Sequence, residues 1–179
     1  MHHTGKGNPF NYYSFGVSLI EVTVDCLRGT YTLDSAKVVH DLGRTIVPGI
    51  DLGQVVGGLA QGMGWVALED FAYDNEGKLV SQAHSTYKIP DNNFLPDQIE
   101  VKFLEHTRKR SGPMGSKAVG ESPLMYGIGA FFAIQQAIHA FNKQQCGKDG
   151  CIPEVTVSPM RAERALLSLY PKSSVGTLY

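Results

Sequence analysis

The chain has 179 residues, the size of about one domain, and is long enough to bury a core without disulfide or metal staples. Charged residues make up 18 % and hydrophobic ones 42 %, with 20 glycines, a balance that excludes a disordered segment or a coiled coil and suggests a surface partly covered by something else. The net charge of −1 excludes a chain-wide field for nucleic acid or anionic lipid.

Residues 17–24 alternate, with Ile20, Val22 and Val24 on one face and Glu21 and Thr23 on the other, the period of a half-buried strand. Asp25-Cys26-Leu27-Arg28-Gly29 reads as a turn, with glycine where a positive φ is tolerated. Residues 30–40 read as the return strand. From 53 to about 70, Val55, Leu59, Met63 and Val66 recur at spacings of three and four, which predicts a helix with Asp51 as its N-cap. Gly53, Gly57, Gly58, Gly62 and Gly64 fall in the same stretch, each costing up to about 1 kcal/mol against alanine in a helix. So many glycines point to close approach by another backbone or by a ligand, and the pattern alone does not choose between them.

Asp74-Asn75-Glu76-Gly77 is a turn signal, and residues 79–82 read as a short strand. Residues 87–96 read as irregular chain because of their prolines. Ile99, Val101 and Phe103 alternate with Glu100 and Lys102, a strand with one wet face. Arg108-Lys109-Arg110 reads as a solvated loop tip. Ser122 and Pro123 suit the N-cap and first position of the longest helix, striped by Leu124, Ile128, Phe131, Ile134, Ile138 and Phe141 and apolar nearly all round in its first half. Ser158-Pro159 repeats that signal before a last helix over 162–170, and the tail 171–179 is expected to be mobile. Strands and helices are mixed without regular alternation, which predicts a single α+β unit with mixed strands and a long buried helix.

The unbroken apolar stretch 124–134 is shorter than the roughly 20 residues of a membrane span, so no membrane association is expected. The start of the chain lacks the pattern of a signal peptide, and three cysteines are an odd number, so a reduced, cytoplasmic setting is expected. Cys146 and Cys151 lack the second pair or histidines that a zinc site needs, and read as loop cysteines; no protein metal ligand is predicted.

Two stretches are candidates for chemistry. In Gly115-Ser116-Lys117-Ala118-Val119-Gly120-Glu121 the glycines permit unusual backbone angles and the amides are available to an anionic or oxo group. Glu121 then falls just before the helix start, where a carboxylate stays ionised as a general base requires. The same spacing also fits an exposed glutamate beside an ordinary serine cap, and spacing alone favours that. Gly53-Gln54-Val55-Val56-Gly57-Gly58 resembles an anion-binding helix start, although it is neither a P-loop nor a dinucleotide fingerprint.

Gly7-Asn8-Pro9-Phe10, Ile50-Asp51-Leu52-Gly53-Gln54-Val55, Gln61-Gly62-Met63-Gly64, Ser85-Thr86-Tyr87-Lys88-Ile89-Pro90 and Ser116-Lys117-Ala118-Val119-Gly120-Glu121 occur in this order. So placed, they resemble the C-terminal part of the molybdenum-binding region of the xanthine dehydrogenase/aldehyde oxidase family, over nearly the whole chain. The resemblance implies the fold of that region and the oxidative hydroxylation of a purine, another N-heterocycle or an aldehyde with water-derived oxygen. It implies molybdopterin as cofactor, Glu121 as the general base, and Gln54, Ser116, Lys117, Val119 and Gly120 around the cofactor. Iron–sulfur clusters and FAD are implied on other domains or partner subunits, because the chain carries motifs for neither. The rest of the molybdenum-binding region is absent too, so the chain reads as a fragment or split subunit, inactive alone. Two other readings stay open: a non-catalytic assembly domain of such a complex, and an unrelated phosphate-binding module built on residues 53–58.

Overall fold

The computed structural model describes residues 10–105, 112–146 and 157–170. The fold is α+β. Strands β1 (Gly16–Val24) and β2 (Tyr31–His40) form an antiparallel hairpin running from Gly16 opposite His40 to Val24 opposite Tyr31. The turn between them is tied by the Asp25 carboxylate, which accepts from the amides of Leu27 and Arg28, and Gly29 closes it at φ +71°. Between Glu21 and Val22 the register jumps from Ser35 to Leu33, so Asp34 is the extra residue of a bulge. Strand β3 (Gln98–Phe103) pairs with β2 in parallel, giving the order β1-β2-β3 with β2 in the centre.

Helix α1 (Pro48–Ala67) shares one hydrophobic core with the sheet. The stripe expected from periodicity is its inner face: Val55, Leu59 and Met63 are wholly buried and Val66 nearly so. The start of the helix differs from expectation. It begins five residues before Gly53, with Pro48 in its first turn and Val47 as an N-cap that offers no side-chain bond. Asp51 lies inside the first turn, where its carboxylate accepts from the Ile46 amide at 3.2 Å. Proline suits the first turn because its missing N–H would be unpaired there anyway.

The expected long helix is two elements. A 3-10 helix, Ser122–Ile128, leads into α2 (Gly129–Cys146). Glu121, not Ser122, is the residue before the first turn, and the buried Ser122 hydroxyl has no partner among the described residues. Ala130, Ile134 and Ile138 of α2 are wholly buried. The outer side is open: Met125 and Phe132 are more than half exposed, so this run is buried on one face rather than all round. Within the helical run Ser122–Gln145 an 18-residue window reaches a mean hydropathy of 1.2, so by length and composition this run, unlike the unbroken stretch 124–134 within it, is able to cross a membrane. Its inner face belongs to the core shared with the sheet and α1.

Helix α3 (Ala162–Leu169) follows the extended Arg161 as N-cap, past the Ser158-Pro159 signal, and buries Ala165 and Leu169. The Tyr31 hydroxyl is shared between the carbonyls of Ala67 and Met160, joining β2 to the end of α1 and to the chain before α3. Residues 79–82 form no strand: a single bridge pairs Tyr73 with Leu79 across the Asp74–Gly77 turn. Arg108 to Arg110, Cys151 and the tail 171–179 lie outside the described residues.

Candidate functional site

The glycines of α1 divide into two sets by what lies against them. Gly58 and Gly62 face the 3-10 helix. A Cβ on Gly58 would stand 2.9 Å from the Pro123 Cβ, and one on Gly62 only 2.0 Å from the Leu124 carbonyl oxygen. These glycines admit another backbone. Gly53 and Gly57 have nothing within 4 Å of an added Cβ and lie on the exposed side of the helix. Because α1 starts at Pro48, the 53–58 amides are inside the helical hydrogen-bond ladder and are no anion-binding helix start. What this stretch presents outward is open backbone surface and the side chain of Gln54.

Packing α1 against the 3-10 helix brings the two predicted stretches together. The Gln54 Oε1 lies 3.6 Å from the position of a Cβ on Gly120, an ordinary contact. Gln54, Gly120 and Glu121 are all exposed, and Val119 is half-buried. Glu121 sits at the bend into the 3-10 helix, with φ −102° and ψ −36°, and its carbonyl accepts from the Leu124 amide.

The loop leading to Glu121 is held at its near end. Met114 (φ +55°) and Gly115 (φ +78°) are consecutive left-handed residues that turn the chain. It then lies against residues 42–44: the Lys117 amide donates to the Leu42 carbonyl at 2.7 Å, the Arg44 amide donates to the Gly115 carbonyl at 2.8 Å, and Gly43 bridges to Ser116. The Ala118 amide donates to the Tyr12 hydroxyl at 3.0 Å. The amides of Val119, Gly120 and Glu121 have no partner among the described residues.

Lys117 is turned inward. Its side chain is buried, with Nζ 2.5 Å from the Asp41 Oδ2 and 2.9 Å from the Tyr13 carbonyl. Beside Asp41, the wholly buried His40 contacts the Tyr126 hydroxyl through Nδ1 at 2.6 Å. Burial holds His40 below the ordinary histidine range, the Asp41 charge opposing and the Lys117 charge adding to the effect. Burial likewise raises Tyr126, with Asp41 contributing. Sequence reasoning did not single out His40, Asp41 or Tyr126. The only trace was a charged residue directly after the apolar run of β2.

A cavity of about 600 Å³ lies toward the far end of α1, lined by Gln61, Trp65, Glu69, Ile89 and Leu124. Eleven residues of helix, roughly 16 Å, separate Gln54 from Trp65 along α1. Among the described residues no group of three or more metal-ligating side chains converges. A molybdenum–pterin group held by its own dithiolene needs none. A polar, oxygen-rich group fits three consecutive unpartnered amides, a primary amide that both donates and accepts, and bare backbone at Gly53 and Gly57.

Comparison with known proteins gives the same direction. The molybdopterin cofactor-binding domain family matches residues 1–96, which include Gln54 and end before the Glu121 loop. A xanthine dehydrogenase/oxidase of Felis catus is 42 % identical over 137 residues, covering 76 % of this chain and 10 % of its own length. Among solved structures, the quinoline 2-oxidoreductase of Pseudomonas putida aligns with TM-score 0.68 and 30 % identity over 83 % of this chain and 17 % of its own. The aldehyde oxidoreductase of Desulfovibrio desulfuricans aligns with TM-score 0.70 and 32 % identity over 92 % of this chain and 16 % of its own. The chain thus spans about a tenth of the length of the curated relative it matches.

Proposed function

Since the chain belongs to the molybdopterin cofactor-binding domain family, within the xanthine dehydrogenase/aldehyde oxidase enzymes, we propose that it is the C-terminal catalytic portion of a molybdenum hydroxylase whose general base is Glu121. The observation that carries this reading is the meeting of Gln54 with Gly120. Residues 55 to 119 lie between them, yet folding sets the Gln54 amide beside the backbone that ends in Glu121.

When bound, the molybdenum–pterin group supplies the two-electron oxidation and the activated, water-derived oxygen. The chain's own residues hold and deprotonate. Gln54 would hold the cofactor through its side-chain amide, which both donates and accepts, and the amides of Val119, Gly120 and Glu121 would donate to it. Ser116 and the Lys117 backbone support this loop, and the Lys117 side chain ties it to Asp41. A Glu121 carboxylate oxygen would take up the proton that the hydroxylation releases, as a general base does. The substrate class is a purine, another N-heterocycle or an aldehyde. The remaining molybdenum-binding region, iron–sulfur clusters and FAD reside on other domains or subunits of a cytoplasmic assembly, and the isolated chain does not turn over.

The test is Glu121→Gln in the assembled enzyme. Turnover should fall by about 10² to 10⁴, the usual contribution of a general base, while molybdenum and pterin content stay unchanged. Near-normal turnover by that variant would reject the assignment.

A further inference from the structure

We propose that His40 and Asp41, consecutive at the end of β2, are positioning residues that grip the chain on both sides of Glu121 and so fix where its carboxylate is presented. The carboxylate's role rests on the reading of Glu121 as base; the grip itself does not.

Asp41 takes the upstream side. Its Oδ2 is 2.5 Å from Nζ of Lys117, four residues before Glu121, and both side chains are about 95 % buried. The other oxygen, Oδ1, accepts from the Gly43 amide at 3.1 Å, so the carboxylate cannot swing. Lys117 is further held by the Tyr13 carbonyl. His40 takes the downstream side. Its Nδ1 meets the hydroxyl of Tyr126, five residues after Glu121, at 2.6 Å, with the two rings edge to face. The Tyr126 carbonyl accepts from the Ser18 hydroxyl at 2.9 Å, and Gly16 leaves the phenol its room: a Cβ there would stand 1.9 Å from the phenolic oxygen.

Residues 118–125 therefore span two grips that share one anchor, the end of the central strand. Glu121 stands midway, exposed. A buried ion pair adds little net stability over an apolar pair of the same shape, because desolvation offsets the attraction. What it supplies here is direction. A reacting group must be held to within about half an ångström, and a rigid strand end is a better support than a loop.

Tyr126→Phe in the assembled holoenzyme is the test, because it removes the hydroxyl and keeps the ring. Amide hydrogen exchange across 118–125 should quicken and kcat should fall, each by about tenfold, with KM and molybdenum content unchanged. Lys117→Met alone leaves the Asp41 charge buried and unpaired, which is strongly destabilising, so the paired variant Asp41→Asn/Lys117→Met is the companion; it should loosen the same segment. Unchanged exchange across 118–125 in Tyr126→Phe overturns the proposal. So does faster exchange with unchanged kcat in an enzyme that Glu121→Gln inactivates. If Glu121→Gln stays active while Tyr126→Phe still quickens exchange, the base assignment fails and the grip stands.

Discussion

Gly62 of α1 and Gly127 of the 3-10 helix meet backbone to backbone: a Cβ on Gly62 would lie 3.0 Å from the Gly127 Cα as well as 2.0 Å from the Leu124 carbonyl oxygen. Neither neighbour is a side chain that can rotate away. Gly62→Ala must push the 3-10 helix off α1, and should destabilise the protein by about 1–3 kcal/mol or more. Gly127→Ala, whose Cβ would stand 2.3 Å from the Met63 nitrogen, should do the same. Thermal unfolding reads both, and an unchanged midpoint would contradict the close approach.

The outward glycines should respond with the opposite sign. Gly53→Ala and Gly57→Ala meet nothing within 4 Å and replace a flexible residue in a helix interior, so each should stabilise α1 by about 0.5–1 kcal/mol. If the bare backbone beside Gln54 is where the cofactor rests, the same variants should retain less molybdenum and pterin after purification. A higher unfolding midpoint with full cofactor content would move the cofactor off this face of α1.

Stability should fall at both ends of the pH range, for two identifiable reasons. Burial keeps His40 below the ordinary histidine range, so the unfolded chain binds a proton there more readily than the folded one. The contribution is complete above about pH 6.5 and is lost as pH falls through the lower folded value. Burial also raises Tyr31 to about 12, so the folded chain keeps a phenolic proton that the unfolded chain releases above about pH 10. That stability is lost from about pH 10 towards 12. Urea unfolding as a function of pH should show a shallower acid limb in His40→Gln and a shallower alkaline limb in Tyr31→Phe. Tyr87, raised to about 12 chiefly by its bond to Glu69, and Tyr126 leave some alkaline slope in place. Wild-type slopes in both variants would reject these origins.

Much of the fold was legible because strand and helix periods are local. Alternation of two marked Ile20, Val22 and Val24 as the inner face of β1, and Ile99, Val101 and Phe103 as that of β3. Spacings of three and four marked Val55, Leu59, Met63 and Val66, all of them core. The ends of the helices were less legible. Pro48 starts α1 ahead of Asp51, and Ser122 caps nothing, because the chain there is fixed by what packs on it: the Gly58–Gly62 face leaves room for a tighter 3-10 turn before α2 begins.

By itself the sequence determined the elements, the core stripes and the ordered motifs by which the family is recognised, since each depends on residues near one another along the chain. Tertiary structure alone decided how those motifs divide their work. It sent Gly58 and Gly62 to a neighbouring backbone and left Gly53 and Gly57 open. It turned Lys117 inward onto Asp41, 76 residues away, and set Tyr126 against His40, 86 residues away. No local period encodes such pairings, because they follow from which surfaces meet when α1 and the 3-10 helix close over the end of β2.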